Sequence, residues 1–360
     1  MIQNEYCVLK QFASLCFKTY YNKLAASFDR LFNFLTISSL LIACTGFFQT
    51  VGGYILLGTT PNISICAAVF LMTFGIYSIN KLTDIKEDAI NRPDRVDFLK
   101  GRERQIGAYS IFSLLISAAL AYHIEQTALL ILFVPFIANC VYSSKVHPAL
   151  PRLKDIPCVK NIVVGLSWAL VCTLMPAVTL EEAQLPSVAL VIYLMFIKDF
   201  INSTLCDLKD VNGDRVSGVK TIPVILGPQK TRRILIILNS LLLPLLLLVR
   251  GKILIIYSLL ILTEYVFILC FGESSRPLVL EFFVDGEWLM TCLLLFGLGL
   301  IGLRIDIVVI CLKAIYYRAI ILCRHWNPAN IRPGQERQLR PLPPHNRYRW
   351  YPEGRPRCGL

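Results

Sequence analysis

Two short acidic strings carry the residues that could do chemistry. The first reads Asn80-Lys-Leu-Thr-Asp84-Ile-Lys-Glu-Asp88 and is followed closely by Asn91, Pro93 and Arg95. Asn80, Asp84 and Asp88 recur every four residues, so a helix running on from the apolar stretch before them would place three oxygen donors on one face. The second reads Asp207-Leu-Lys209-Asp210-Val-Asn212-Gly213-Asp214-Arg215, with acids at i, i+3 and i+7 that also share a face. Two acidic stripes held close together repel unless cations lie between them. Mg2+ suits such a place: it takes hard oxygen ligands and is normally held by one or two carboxylates plus substrate phosphates. Solvated loop charge is the plain alternative. Against it stand the regular spacing, the repetition of the stripe, and the lysines and arginines threaded through both strings.

The elements that must position these strings belong to a membrane protein. Of 360 residues, 55% are apolar and only 17% charged, and mean hydropathy is +0.60. A bilayer core needs about 20 mostly apolar residues per helical crossing. Nine such stretches are predicted, at about 31–50, 62–81, 105–122, 127–144, 161–179, 186–205, 232–249, 253–271 and 286–303. The fold class is therefore all-α, a polytopic bundle of nine transmembrane helices. Residues 1–30 mix lysines with aromatics and read as an interfacial amphipathic segment. Residues 304–360 read as an interfacial helix and a tail that is disordered by composition, since eight arginines and seven prolines fall between Arg324 and Leu360.

Charge then orients the bundle. The joints after the second, fourth and sixth stretches are rich in cations, among them Arg92, Arg95, Lys145, Lys154, Lys160, Lys209 and Lys220, whereas residues 51–61 carry no charge. By the positive-inside rule these joints, and with them both acidic strings, face the cytoplasm, most simply at the plasma membrane. A zinc or haem reading fails on spacing, because the 13 cysteines are scattered and the four histidines lie far apart. Gly297-Leu-Gly299-Leu-Ile-Gly302 matches a dinucleotide fingerprint literally, but it lies in a membrane stretch with no preceding strand. A multi-span ion or solute transporter is the competing class, since acids in spans often mark ion paths. Clusters at span ends on one side, rather than at mid-membrane, favour an enzyme. Neither nucleic-acid binding nor an obligate protein partner is indicated.

These residues resemble the UbiA superfamily of membrane polyprenyl transferases. Its first signature, N-x-x-x-D-x-x-x-D with N-x-P-x-R soon after, matches Asn80, Asp84, Asp88, Asn91, Pro93 and Arg95. Its second, D-x-x-D-x-x-x-D with G-x-K/R-T-x-P, matches Asp207, Asp210, Asp214, Gly218, Lys220, Thr221 and Pro223. The resemblance covers about 31–303 and implies a helical bundle around a central cavity, capped by the two motifs. It implies further that Asp84, Asp88, Asp210 and Asp214 hold Mg2+ against the diphosphate of a polyprenyl donor, supported by Asn80 and Asp207. Arg95, Lys145, Lys154 and Lys209 would take phosphate oxygens, and Tyr142 would line the same pocket. The lipophilic acceptor stays open among quinone-precursor aromatics, a tetrapyrrole side chain, haem and an ether-lipid glycerol phosphate.

Overall fold

The computed structural model describes residues 27, 30–85, 88–89, 92–143, 156, 158–182, 184–273, 275 and 277–300. Among these the chain is helical throughout, with no strand. In order the helices are α1 (Arg30–Ile37), α2 (Leu40–Leu56), α3 (Ile63–Thr83), α4 (Pro93–Leu99), α5 (Glu103–Ile124), α6 (Gln126–Ser143), α7 (Val159–Ala177), α8 (Leu185–Ser217), α9 (Ile222–Leu226), α10 (Pro228–Ser240), α11 (Gly251–Cys270), α12 (Pro277–Asp285) and α13 (Glu287–Leu300).

Five helical segments are long and apolar enough to cross a bilayer: α3, α5, α7, Leu185–Val216 of α8, and α11; the bent pair α1–α2 makes a sixth if counted as one span. The other expected crossings are shorter or broken. The stretch expected at 232–249 is not one helix: α10 ends at Ser240 and a separate 3-10 turn, Leu243–Leu247, follows. Pro244 accounts for the break, since it has no N–H to give and its ring crowds the preceding turn. In the stretch expected at 31–50, α1 and α2 meet at 75°, with Ser39 left-handed at φ 67°. Lys81 secures that bend: its Nζ donates at 2.8 Å to the carbonyls of Thr36 and Ile37, the last carbonyls of α1, which have no partner one turn on within the helix.

Packing follows the rules of a membrane interior, where close contact between small residues replaces a hydrophobic driving force. The buried residues of α5 are Ser110, Ser113, Ser117 and Ala121, one stripe turned to α3, and Ser117 Oγ donates to the Ala68 carbonyl at 2.6 Å. Its large apolar residues, such as Phe112, Leu115 and Tyr122, point outward. Gly53 lets α2 reach α7, because a Cβ there would run into the Cys172 carbonyl. Deep in the bundle, Lys198 is fully buried and donates to Glu264 at 2.5 Å, Glu287 at 2.8 Å and the Leu260 carbonyl at 3.1 Å, tying α8 to α11 and α13.

Two local features carry the acidic strings. α8 has 33 residues, about 50 Å at 1.5 Å per residue, whereas the hydrocarbon core is about 30 Å thick. Its last turns, Asp207 to Asp214, therefore project beyond the span. Gly218, at φ 74°, ends it with the Val219 amide bonded back to the Asp214 carbonyl. The α3 helix stops sooner than its acids require, since Asp84 is its C-cap. The hydrogen-bond ladder nevertheless resumes, Asp88 N–H donating to the Asp84 carbonyl at 2.9 Å and Arg92 N–H to that of Asp88 at 2.7 Å.

Candidate active site

The ends of α3 and α8 open on one cavity of about 390 Å³. Asn80, Asp84 and Asp88 line it from one side, Lys209 and Asp210 from the other, and Arg95 from α4. The expected pairing of the two strings across a shared space is thus what the fold builds. Below the polar mouth the walls become mainly apolar, with Met72, Ile76, Val163, Val171, Trp168 and Trp288.

The mouth is organised by an ion-pair network. Arg95 Nη1 lies 3.5 Å from Asp88 Oδ1, and Lys209 Nζ lies 3.5 Å from Asp210 Oδ2. Glu281 of α12 joins these cations: Oε1 receives Lys209 at 3.0 Å, Arg95 at 3.3 Å and also Arg92. Arg92 is held in turn by Asp94 at 3.0 Å. Burial opposes the Glu281 charge, yet Lys209, Arg95 and Arg92 together hold its carboxyl down at about 2. Burial, reinforced by Asp84, moves the Asp88 carboxyl above its ordinary value even with Arg95 beside it. Asp285, one turn further along α12, also lines the cavity. Burial and then the Glu281 charge push it up to about 7.

The donor set fits a magnesium ion. Asn80 Oδ1 is buried with no hydrogen-bond partner among the described residues, and it shares the cavity with Asp84, Asp88 and Asp210. Among the described residues no three acidic, histidine or cysteine side chains converge closely enough to hold an ion alone. That agrees with a cation that needs one or two carboxylates and takes its other ligands from water and phosphate.

Other expected residues are placed differently. Asp207 does not line the cavity: its Oδ1 receives Lys160 at 2.5 Å and its Oδ2 receives Asn161 at 2.9 Å, which fastens α8 to α7. Asp214 is buried a turn beyond Asp210, outside the lining. Tyr142 lies in α6, with its side chain outside what is described, and Lys145, Lys154 and Asn91 lie outside the described residues. Glu281 and Asp285 were missed by sequence reasoning. The signal was present: acids at positions 281, 285 and 287 interrupt an otherwise apolar run, which inside a membrane protein marks function or pairing. The same holds for Asp199, which lines the cavity in mid-span and accepts from Gln49 Nε2 at 2.7 Å.

Known proteins agree with this architecture. Digeranylgeranylglyceryl phosphate synthase of Thermococcus gammatolerans is 30% identical over 193 residues, which are 52% of this chain and 66% of that protein. The synthase of the same name from Methanopyrus kandleri is 29% identical over 160 residues, 44% of this chain and 55% of its own length. The chain therefore spans less than two thirds of the length of these relatives. Among solved structures, a UbiA homologue from Archaeoglobus fulgidus, bound to DMAPP and Mg2+, superposes with a TM-score of 0.55 at 18% identity, over 72% of this chain and 97% of that one. The apo UbiA homologue from Aeropyrum pernix K1 gives a TM-score of 0.54 at 17% identity, over 71% and 98%. At such identities the likeness is one of fold. The model of the UbiA prenyltransferase family, however, matches residues 35–276, most of the chain and both acidic strings, so the chain belongs to the UbiA prenyltransferase family.

Proposed function

We propose that this protein transfers a polyprenyl group from a prenyl diphosphate to a hydroxyl-bearing lipid acceptor, with Mg2+ at the mouth of the cavity. One observation carries the reading: Asp84, Asp88 and Asp210 share a cavity mouth with Arg95 and Lys209, above a mainly apolar interior. Oxygen ligands and cations at the entrance suit a diphosphate, and the interior suits its hydrocarbon tail. A lipid acceptor is favoured over an aromatic one because the curated relatives are named for making digeranylgeranylglyceryl phosphate.

Asp84, Asp88 and Asp210, with Asn80, would hold the metal, and Asp214, which lies a turn beyond Asp210 outside the lining, would act behind them. Bound there, the metal would supply Lewis-acid neutralisation of the leaving diphosphate. The chain's own residues do the rest. Arg95 and Lys209 exchange part of their bonding to Glu281 for phosphate oxygens and stabilise the negative charge that accumulates as the allylic C–O bond breaks. Lys81, which also lines the cavity, is held in the wall by the Thr36 and Ile37 carbonyls of α1. The apolar walls exclude water, which would otherwise capture the allylic cation. The cation-rich joints support a mouth on the cytoplasmic side. The shorter apolar helices and the broken α10 segment would complete nine crossings.

The test uses the full chain in proteoliposomes with radiolabelled geranylgeranyl diphosphate. Two acceptors are compared, a geranylgeranylated glycerol phosphate and a phenolic acid. Label should enter the lipid product with Mg2+ and stop with EDTA. Absence of chelator-sensitive donor consumption with either acceptor would overturn the reading. Transfer to the phenolic acid alone would correct the acceptor class.

A further inference from the structure

The metal and cation sites leave two carboxylates of the cavity lining unused, Asp285 and Asp199. Asp285 ends α12 and lines the cavity, and among the described residues its carboxylate has no hydrogen-bond or ion-pair partner. Its backbone is fixed, because Thr45 Oγ1 donates to the Asp285 carbonyl. Its depth can be read off α8. Glu281 meets Lys209, and Glu287 meets Lys198; those lysines are three turns apart on α8, about 16 Å of helix rise. Asp285 falls between the two levels, one turn or about 6 Å below Glu281. A diphosphate engaged by Arg95 and Lys209 places its allylic carbon just beneath that level, one bond from the phosphate. The acceptor oxygen must arrive in the same space. Asp199, the other acid deeper in the cavity, accepts from Gln49 and lies about 16 Å below Asp210 along α8, too deep to reach the reacting carbon.

We propose that Asp285 is the general base of the transfer, taking the proton of the acceptor's hydroxyl; this rests on the prenyl-transfer reading above. In the step, the acceptor oxygen bonds to the allylic carbon as the bond from that carbon to diphosphate breaks. The bonding pair leaves with the diphosphate, and the hydroxyl proton passes to an Asp285 oxygen, from which it returns to water at the mouth. A base is needed because an alcohol that attacks carbon turns into a cationic oxonium unless its proton departs, and the walls keep solvent away. The groups facing Asp285 are Lys81 from α3, Arg95 from α4, Cys206 and Lys209 from α8, and Glu281 from its own helix. The three cations favour the carboxylate and Glu281 opposes it. A carboxyl drawn toward neutrality by burial and Glu281 is well matched to proton transfer near neutral pH.

The experiment compares wild type, Asp285→Asn and Asp285→Glu in proteoliposomes. It measures equilibrium binding of radiolabelled geranylgeranyl diphosphate with Mg2+, and the pH profile of kcat for transfer to the lipid alcohol. Asp285→Asn should bind the donor normally, lose on the order of 10²- to 10⁴-fold in kcat, and lose the fall in rate on the acidic side that the wild type shows. Asp285→Glu should recover part of the rate and restore that acidic fall. Near wild-type kcat with an unchanged profile in Asp285→Asn would overturn the assignment, and so would loss of donor binding, which would make the residue a binding group. If the wild type neither binds nor consumes the donor, the prenyl-transfer reading itself falls.

Discussion

Lys160 Nζ lies 2.5 Å from Asp207 Oδ1, so the first acid of the second string is spent on holding α7 against α8 rather than on the cavity. Asn161 completes the grip at Asp207 Oδ2. Asp207→Leu should leave one N–H of the buried Asn161 amide unpaired, the other still donating to Ser203 Oγ at 3.1 Å, at a cost of about 1–3 kcal/mol. The measurable result is a lower melting temperature for detergent-purified protein, with transfer activity per folded molecule largely kept. An Asp207→Leu protein with unchanged melting temperature and no activity would place Asp207 in the chemistry instead.

Glu281 gives the mouth a pH dependence of definite sign. Its carboxyl is held at about 2, against an ordinary 4.5, by Lys209, Arg95 and Arg92. A group whose folded value is depressed stabilises the fold fully above its unfolded value, and that contribution is lost as pH falls through the folded value. Stability should therefore decline from about pH 5 toward pH 2, by on the order of 3 kcal/mol at most from this group. Glu281→Gln should be less stable at pH 7 and show a flatter decline, read by denaturation of the detergent-solubilised protein across that range. Parallel curves for the two proteins would mean that Glu281 is not the acid responsible.

The acidic strings were legible because their information is local. A period of four along Asn80, Asp84 and Asp88 needs only helical geometry, and the ladder that resumes through Asp88 and Arg92 supplies it although α3 formally stops at Thr83. The run of α8 past its apolar stretch, to Gly218, was legible for the same reason. Glu281 was not, because its meaning lies in Arg92, 189 positions away, and in Lys209, 72 positions away. The bend at Ser39 was hidden too: Ser38 and Ser39 interrupt the apolar run too briefly to divide it by hydropathy, and what secures the bend is Lys81 from a different helix. Pro244 did mark a break in 232–249, but hydropathy alone reads across a proline. Composition locates membrane stretches, and it is blind to where their axes turn.

The Lys198 cluster should behave as glue. Lys198, Glu264 and Glu287 are each at most 1% exposed, and Thr263 Oγ1 also donates to Glu287 at 2.7 Å. Lys198→Met alone would strand two carboxylates with no counter-charge, and breaking one partner of a buried ionic group costs about 3–5 kcal/mol. The triple change Lys198→Met, Glu264→Leu, Glu287→Leu removes every charge and should recover most of that loss, since apolar replacements of buried ion pairs are often neutral or better. Thermal unfolding of the single and triple variants decides it. A triple variant as unstable as the single one would show that the cluster's polar geometry, and not charge balance, holds α8 to α11 and α13.

Asp84→Asn and Asp210→Asn test the metal assignment from both sides of the cavity. Each change keeps the shape of the side chain and one oxygen, and removes a negative charge that a divalent cation and its diphosphate would need. Folding should change little, because Asp84 caps the end of α3 at the half-buried cavity mouth and Asp210, 29% exposed, has Lys209 as its ion-pair partner among the described residues. Removing one carboxylate from a crowded mouth also relieves repulsion in the metal-free protein. Catalysis should suffer far more: losing a group that stabilises developing charge costs about 10²- to 10³-fold in rate. Because the lost charge weakens the metal site, both variants should also need more Mg2+ for half-maximal activity. The discriminating measurement is the initial transfer rate as a function of Mg2+ concentration, normalised to folded protein. A slow variant with the wild-type Mg2+ requirement would show that the aspartate serves the acceptor or the cations, and would remove it from the metal site.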